Sequence, residues 1–252
     1  MTTVLSIGTT HPWNVAGVGL DLRVGAELGI RVLTVVTAVS AQDAGGLHSL
    51  ERLEAATVRA QFATLPLAGV SAIRVGALSA PEHVSEVALV ARRLYDVPTV
   101  IDPVFGATRG GTFADPATIE AMRRELIPLP NVILTPNIPE ASVLLGGRKI
   151  ERDGLSEAAR ALQRLGCRAV LLTGGHLEGN PVDALATEGE IDLFSGTRLP
   201  HDMRGSGCVL AMALAVELAD GHDVRSAVQH ARVFVRKKIE SARQFGDLRV
   251  AY

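Results

Sequence analysis

Cysteine is scarce. Only Cys167 and Cys208 occur in the 252 residues, and they are spaced neither as a metal cluster nor as a disulfide framework. Aromatic residues make up 4% of the chain, so the core must be built from Val, Leu, Ile and Ala, as in parallel sheets covered by helices. An excess of charge is also missing. The formal net charge is −2, which removes the electrostatic case for binding nucleic acid or an anionic membrane surface. No stretch reaches about 18 apolar residues without a charge or a breaker, so no membrane span is expected. The segment from Met1 to Ile7 has no basic start and no long apolar run. A signal peptide is therefore not expected, and a reducing cytoplasm is the expected location. No repeat, low-complexity segment or linker interrupts the chain, and one domain over residues 1–252 is expected.

Three familiar chemical signatures are absent as well. There is no G-x-x-x-x-G-K-[ST], which excludes a P-loop enzyme. No G-x-G-x-x-G opens the first helix, and no G-x-S-x-G occurs. A dinucleotide fold and an α/β-hydrolase therefore have no support.

What is present is a chain that is 47% hydrophobic and 21% charged, enough to bury a sizeable core. Short β-branched runs alternate with helical patterns. Residues 4–7, 32–39, 72–75, 99–101, 132–134 and 169–172 read as buried strands. Residues 18–28, 53–65, 82–94, 117–126, 139–145 and 156–165 read as helices, from apolar spacing and caps. This alternation predicts an α/β fold, a mainly parallel sheet with helices on both faces. Residues 182–187 and 191–194 read as an antiparallel hairpin that ends the sheet. Two long helices, over 208–219 and 224–243, close the chain.

Ligands in open α/β sheets bind beyond the C-terminal ends of the strands. Asp102 follows one predicted strand and can hold Mg²⁺ or its waters. Asn137 and Glu140 follow the next, where cap chemistry and a ligand role are both open. Thr173-Gly174-Gly175-His176 follows a third, and serves either close approach to a ligand or a tight turn. Gln42, after 32–39, can donate and accept at the edge of a polar heterocycle. Asp21 can accept from an amino group or lie on a wet helix face. Gly205-Ser206-Gly207-Cys208 precedes a strongly apolar helix. Its unpaired amides and the helix dipole suit an anion such as phosphate, and a thiol in a first turn is expected to have a lowered pKa. Taken together, a metal end, an anion end and a polar pocket suit phosphoryl transfer.

In this order, Ala16-Gly17-Val-Gly-Leu-Asp21-Leu22, Thr37 to Asp43, Val75-Gly76-Ala77-Leu78, Ile101 to Val104, Leu134 to Ala141, Thr173 to His176 and Gly205 to Cys208 resemble motifs of the hydroxymethylpyrimidine/phosphomethylpyrimidine kinases. These belong to the ribokinase-like superfamily. The resemblance runs nearly end to end. It implies a three-layer sandwich with an antiparallel edge hairpin, acting in thiamine biosynthesis with ATP and Mg²⁺ on an aminopyrimidine, and a homodimer. It implies that Asp21 and Gln42, with Gly17 and Ala77 in the neighbouring motifs, contact the substrate. Asp102 and Glu140 match positions around the metal and phosphates. Asn137, Thr173 and Gly175 fall on the ATP side. Gly205, Ser206 and Gly207 match the anion hole, and Cys208 the place of a catalytic base.

The chain departs from the family's pattern at several points. An acidic, glycine-rich first loop is replaced by Thr10-His11-Pro12-Trp13-Asn14-Val15. Two expected lysines are replaced, by Thr173 and within Ala107-Thr108-Arg109-Gly110, and Arg204 stands where histidine is common. Arg109 and Arg204 are candidates to supply the lost positive charge to phosphate. These departures keep two alternatives open, a pyridoxal or pyridoxine kinase of the same fold and a non-catalytic pyrimidine-binding relative.

Overall fold

The computed structural model describes residues 1–107 and 110–252. In chain order its elements are β1 (Thr3–Thr10), α1 (Gly17–Glu27), β2 (Arg31–Asp43), β3 (Gly46–Arg52), α2 (Ala55–Ala63), β4 (Ala72–Val75), α3 (Pro81–Arg93), β5 (Thr99–Ile101) and α4 (Pro116–Ala121). Then come β6 (Val132–Leu134), α5 (Ile138–Leu144), α6 (Leu155–Gln163), β7 (Ala169–Leu172), β8 (Val182–Ala186), β9 (Ile191–Ser195), α7 (Ser206–Ala219), α8 (Val224–Ser241), β10 (Arg243–Phe245) and β11 (Leu248–Val250).

The first nine strands form one sheet in the order β3-β2-β1-β4-β5-β6-β7-β8-β9. From β2 through β7 every pairing is parallel, while β3, β8 and β9 pair antiparallel at the two edges. Alternation along each strand explains the layering. Leu5, Ile7, Ile73, Val75, Ile101 and Leu134 face a core formed with α2 to α6. Val4, Ala72, Val100, Ile133 and Leu171 face a second core formed with α1, α7 and α8. Helix α7 is buried nearly all round, which is why its sequence shows no polar stripe.

Local chemistry sets several boundaries. Asp115 caps α4, accepting from the Thr118 amide at 2.8 Å, and Asp223 caps α8 through the Ser226 amide at 3.0 Å. Pro116 sits in the first turn of α4, where its missing N–H is no loss. The helix expected over 117–126 leaves the α form after Ala121. A wider turn takes residues 122–126, closed by the Ile127 amide on the Met122 carbonyl at 2.9 Å.

Three further features differ from the sequence reading. Strand β2 runs four residues past Val39 to Asp43 and turns back as β3, which has too few β-branched residues to announce itself. Helix α8 stops at Ser241, because Ala242 is extended and begins the C-terminal hairpin. That hairpin, β10–β11, is held by Val15, Leu248 and Val250 with Trp13 and Ala44 packed beside them. Among the described residues no helix is long and apolar enough to cross a membrane.

Candidate active site

The chain crosses from β1 to β2 on one side and returns to β4 on the other. This reversal opens a crevice at the C-terminal ends of β1 and β4. Below it lies a charged cluster in the core. Arg74 on β4 has no solvent exposure. Its Nη2 donates to Asp102 Oδ2 at 2.8 Å, and its Nη1 lies 3.4 Å from Asp21 Oδ2. Ser6 Oγ donates to that same Asp21 oxygen at 2.6 Å. The Cys208 thiol lies against both Arg74 and Asp102. Gly76 makes this possible, since a Cβ there would stand 2.1 Å from Arg74 Nη1.

Burial dominates the electrostatics. It works against the Arg74 charge, yet Asp21, Cys208 and Asp102 together hold the guanidinium above its ordinary range. It pushes both carboxyls up, Asp21 against the pull of Arg74 and Ser6, and Asp102 against that of Arg74 and Cys208. The Cys208 thiol is pushed up to about 12. The expectation that a first-turn position lowers this pKa is overturned, because desolvation and the two neighbouring carboxylates outweigh Arg74 and the Gly17 amide.

Above the cluster, Gly205 turns the chain into α7 with φ 80°. A side chain there would collide with the Val15 carbonyl oxygen at 2.2 Å, and the backbone angle itself suits glycine. No side chain caps this helix. Gly205 and Ser206 are half-exposed and Gly207 is exposed, so this helix start faces outward at the positive end of the dipole, with the Ser206 amide on the Met203 carbonyl at a long 3.4 Å. A Cβ on Gly207 would lie 3.8 Å from Asp102 Oδ1. An anion held at this helix start would therefore come close to a carboxylate.

That juxtaposition, together with Glu140, tests whether the donor set fits a divalent cation. Glu140 is pushed up to about 8 by burial and by the Asp102 charge. Two converging carboxyls strained by mutual repulsion, next to an anion-binding helix start, fit an oxygen-seeking cation such as Mg²⁺. Asn137 and Glu140 also realise the capping alternative. Asn137 Oδ1 accepts from the Glu140 amide at 3.0 Å, and Glu140 Oε2 accepts from the Asn137 amide at 2.9 Å. Thr173 pairs with Asn137 as a short parallel bridge, its amide on the Pro136 carbonyl at 2.9 Å. Gly175 is exposed just beyond. Arg109 and Thr108 lie outside the described residues.

On the opposite flank, Gln42 Oε1 accepts from Arg204 Nη2 at 3.2 Å. Arg204 thus stands beside the residue expected to read the heterocycle. Its amide donates to the Arg249 carbonyl at 2.9 Å, tying the Gly205 turn to the C-terminal hairpin. His11 is buried nearby, and burial and the Arg204 charge hold its imidazole below the ordinary range. Trp13 packs edge-on against Phe245 at 5.8 Å. The bulky first loop is therefore braced by the end of the chain. Ala77 is buried and its carbonyl accepts from Thr37 Oγ1 at 3.3 Å. Gly17 opens α1 with its amide against the Cys208 sulfur. Asp21, by contrast, is fully buried below the crevice on Ser6 and Arg74.

Sequence reasoning missed Arg74. A lone arginine between Ile73 and Val75 gives no signal except that it interrupts a fully buried strand, and such a charge must be paired. It also missed the C-terminal hairpin, whose only cue is the Gly246-Asp247 turn pair.

Known proteins share this fold. The phosphomethylpyrimidine kinase family model matches residues 12–251. The hydroxymethylpyrimidine/phosphomethylpyrimidine kinase of Streptomyces coelicolor is 34% identical over 245 residues, covering 96% of this chain and 90% of that protein. The crystal structure of phosphomethylpyrimidine kinase from Clostridium difficile 630 superposes with a TM-score of 0.80 at 28% identity, over 94% of this chain and 99% of that one. An ADP complex of Bacillus subtilis pyridoxal kinase superposes with a TM-score of 0.88 at 28% identity, over 98% of this chain and 94% of that one. The fold and these relatives define a ribokinase-like phosphotransferase. The chain belongs to the phosphomethylpyrimidine kinase family.

Proposed function

We propose that this protein transfers the γ-phosphoryl group of ATP to 4-amino-5-hydroxymethyl-2-methylpyrimidine, its monophosphate, or both. The observation that carries the reading is the start of α7 at Gly205 to Gly207, close to Asp102 Oδ1 and linked to Gln42 through the neighbouring Arg204. Family membership and the named activity of the Streptomyces relative support the aminopyrimidine as acceptor.

In this reading the acceptor ring lies beside Gln42 and Arg204, and its hydroxymethyl oxygen points at the start of α7. The amides of Gly205, Ser206 and Gly207 hold the oxygens of the transferring group, whose loose transition state needs positioning and charge more than a strong base. Asp102 and Glu140 would hold Mg²⁺, which when bound offsets the phosphate charge. The Cys208 thiol, kept protonated by burial, touches the reacting hydroxyl as a hydrogen-bonding neighbour. Asn137, Thr173 and Gly175 lie on the nucleotide side, and Asp21 serves through Arg74 instead of meeting the ring.

A second reading has its own observation, the 0.88 TM-score with the Bacillus subtilis pyridoxal kinase. One experiment separates the two. Purified protein with Mg-ATP is offered the pyrimidine, its monophosphate and pyridoxal in turn, and ADP release is followed. Turnover on either pyrimidine is the expected outcome. Turnover on pyridoxal alone would replace the first reading with the second, and ligand binding without turnover on any acceptor would defeat both.

A further inference from the structure

At the far end of α7, Glu217 meets two histidines. His222 follows in the loop leading to α8, and His230 comes from α8 itself. Glu217 Oε2 lies 2.7 Å from His230 Nδ1 and 3.2 Å from His222 Nδ1. The two rings stand edge to face, 5.0 Å apart at 85°, so neither stacks on the other and both turn a nitrogen to the same carboxylate. One ligand atom from each of the three residues lies within 4.8 Å of the other two. The rings are about half exposed, with side-chain accessibilities of 43% and 52%. Exposed ion pairs of this kind add little to stability, and His222 Nδ1 also lies 3.1 Å from the Glu217 carbonyl oxygen, a contact that a bound metal would replace.

We propose that Glu217, His222 and His230 form a binding site for a divalent transition-metal ion of the zinc class. Two imidazole nitrogens and one carboxylate oxygen match a three-ligand zinc set, with the fourth position open to solvent. A tetrahedral ion at about 2.0–2.1 Å from each donor needs the donors about 3.3 Å apart, and the carboxylate oxygen already lies 2.7 and 3.2 Å from the two ring nitrogens. The nitrogen donors disfavour Mg²⁺ and Ca²⁺, which seek oxygen. Because the ligands come from α7, α8 and the loop between them, the ion would pin this helical hairpin. The site is separate from the phosphoryl-transfer crevice. Glu217 is eleven residues along the helix from Ser206, about 17 Å at 1.5 Å per residue.

The test uses the full chain, treated with chelator and exchanged into chelator-free buffer, and titrates it with ZnCl₂ by calorimetry and by thermal unfolding. One equivalent is expected to bind with a micromolar or tighter Kd and to raise Tm. His222→Gln and His230→Gln should each weaken binding at least tenfold and remove the rise in Tm. Millimolar Mg²⁺ should not displace the zinc. Both variants should keep the wild-type rate with Mg-ATP, which separates this site from the kinase reading. Absence of zinc binding, or binding that both histidine variants retain in full, would overturn the proposal.

Discussion

Arg74 donates to Asp102 at 2.8 Å across two adjacent strands, with the arginine wholly removed from water. The same guanidinium faces Asp21. One cation thus neutralises two carboxylates, and one of these continues upward into the crevice. The contact joins the stability of the core to the charge of the site.

Replacing Arg74 by Met should therefore be severe. Two buried carboxylates lose their counter-charge, and breaking a buried pair in this way costs about 3–5 kcal/mol. Urea unfolding at neutral pH measures it. Arg74→Lys keeps the charge but loses the fork that reaches both partners, and should fall between. Asp21→Asn added to Arg74→Met should recover part of the loss, because the removed charges face each other. A loss below about 1 kcal/mol for Arg74→Met, within the range of ordinary substitutions, would show that the cluster is not held by this pairing.

Glu140 gives a pH dependence. Its carboxyl is raised from 4.5 to about 8 in the folded protein, first by burial and then by Asp102. Between those values the native state holds a proton that the unfolded state has released, so stability falls as pH rises through this window. Metal-free protein should lose Tm from pH 5 to pH 8. Glu140→Gln should flatten that slope, and millimolar Mg²⁺ should flatten it in the wild type. An unchanged slope in Glu140→Gln would assign the pH dependence to other groups.

Cys208 is protonated at neutral pH, its thiol being pushed up to about 12. Cys208→Ser preserves a hydrogen-bonding group at the same place and should lower kcat by less than about tenfold, within the range of a single lost contact. A fall of more than a hundredfold with an unchanged KM for the acceptor would restore the base that the first-turn position suggested.

Arg204 should act on the acceptor rather than on the nucleotide, because its guanidinium reaches Gln42 at 3.2 Å. Arg204→Ala is expected to raise KM for the acceptor severalfold, with KM for ATP changed less than twofold. The reverse pattern would return Arg204 to the phosphate-binding role expected of it as a replacement for the missing lysines.

Sequence alone determined the local order of this protein. Strands 72–75, 99–101, 132–134 and 169–172 and the hairpin near 182–195 were legible because buried parallel strands read as short apolar runs bounded by breakers. The turn at Gly205 was legible because glycine before an apolar run marks a helix start, and the two faces of the sheet follow from alternation. These signals lie within a few residues of one another. Tertiary structure decided the rest. Arg74, Asp21, Asp102 and Cys208 are far apart in the chain and meet only when α1 and α7 close over β1 and β4. The thiol's pKa rises instead of falling because desolvation depends on everything that covers the sulfur, not on its place in a helix. The end of the chain found its role in the same way. The strands 243–245 and 248–250 are too short to be seen alone, and they form because Trp13 and Val15 give them a surface to cover.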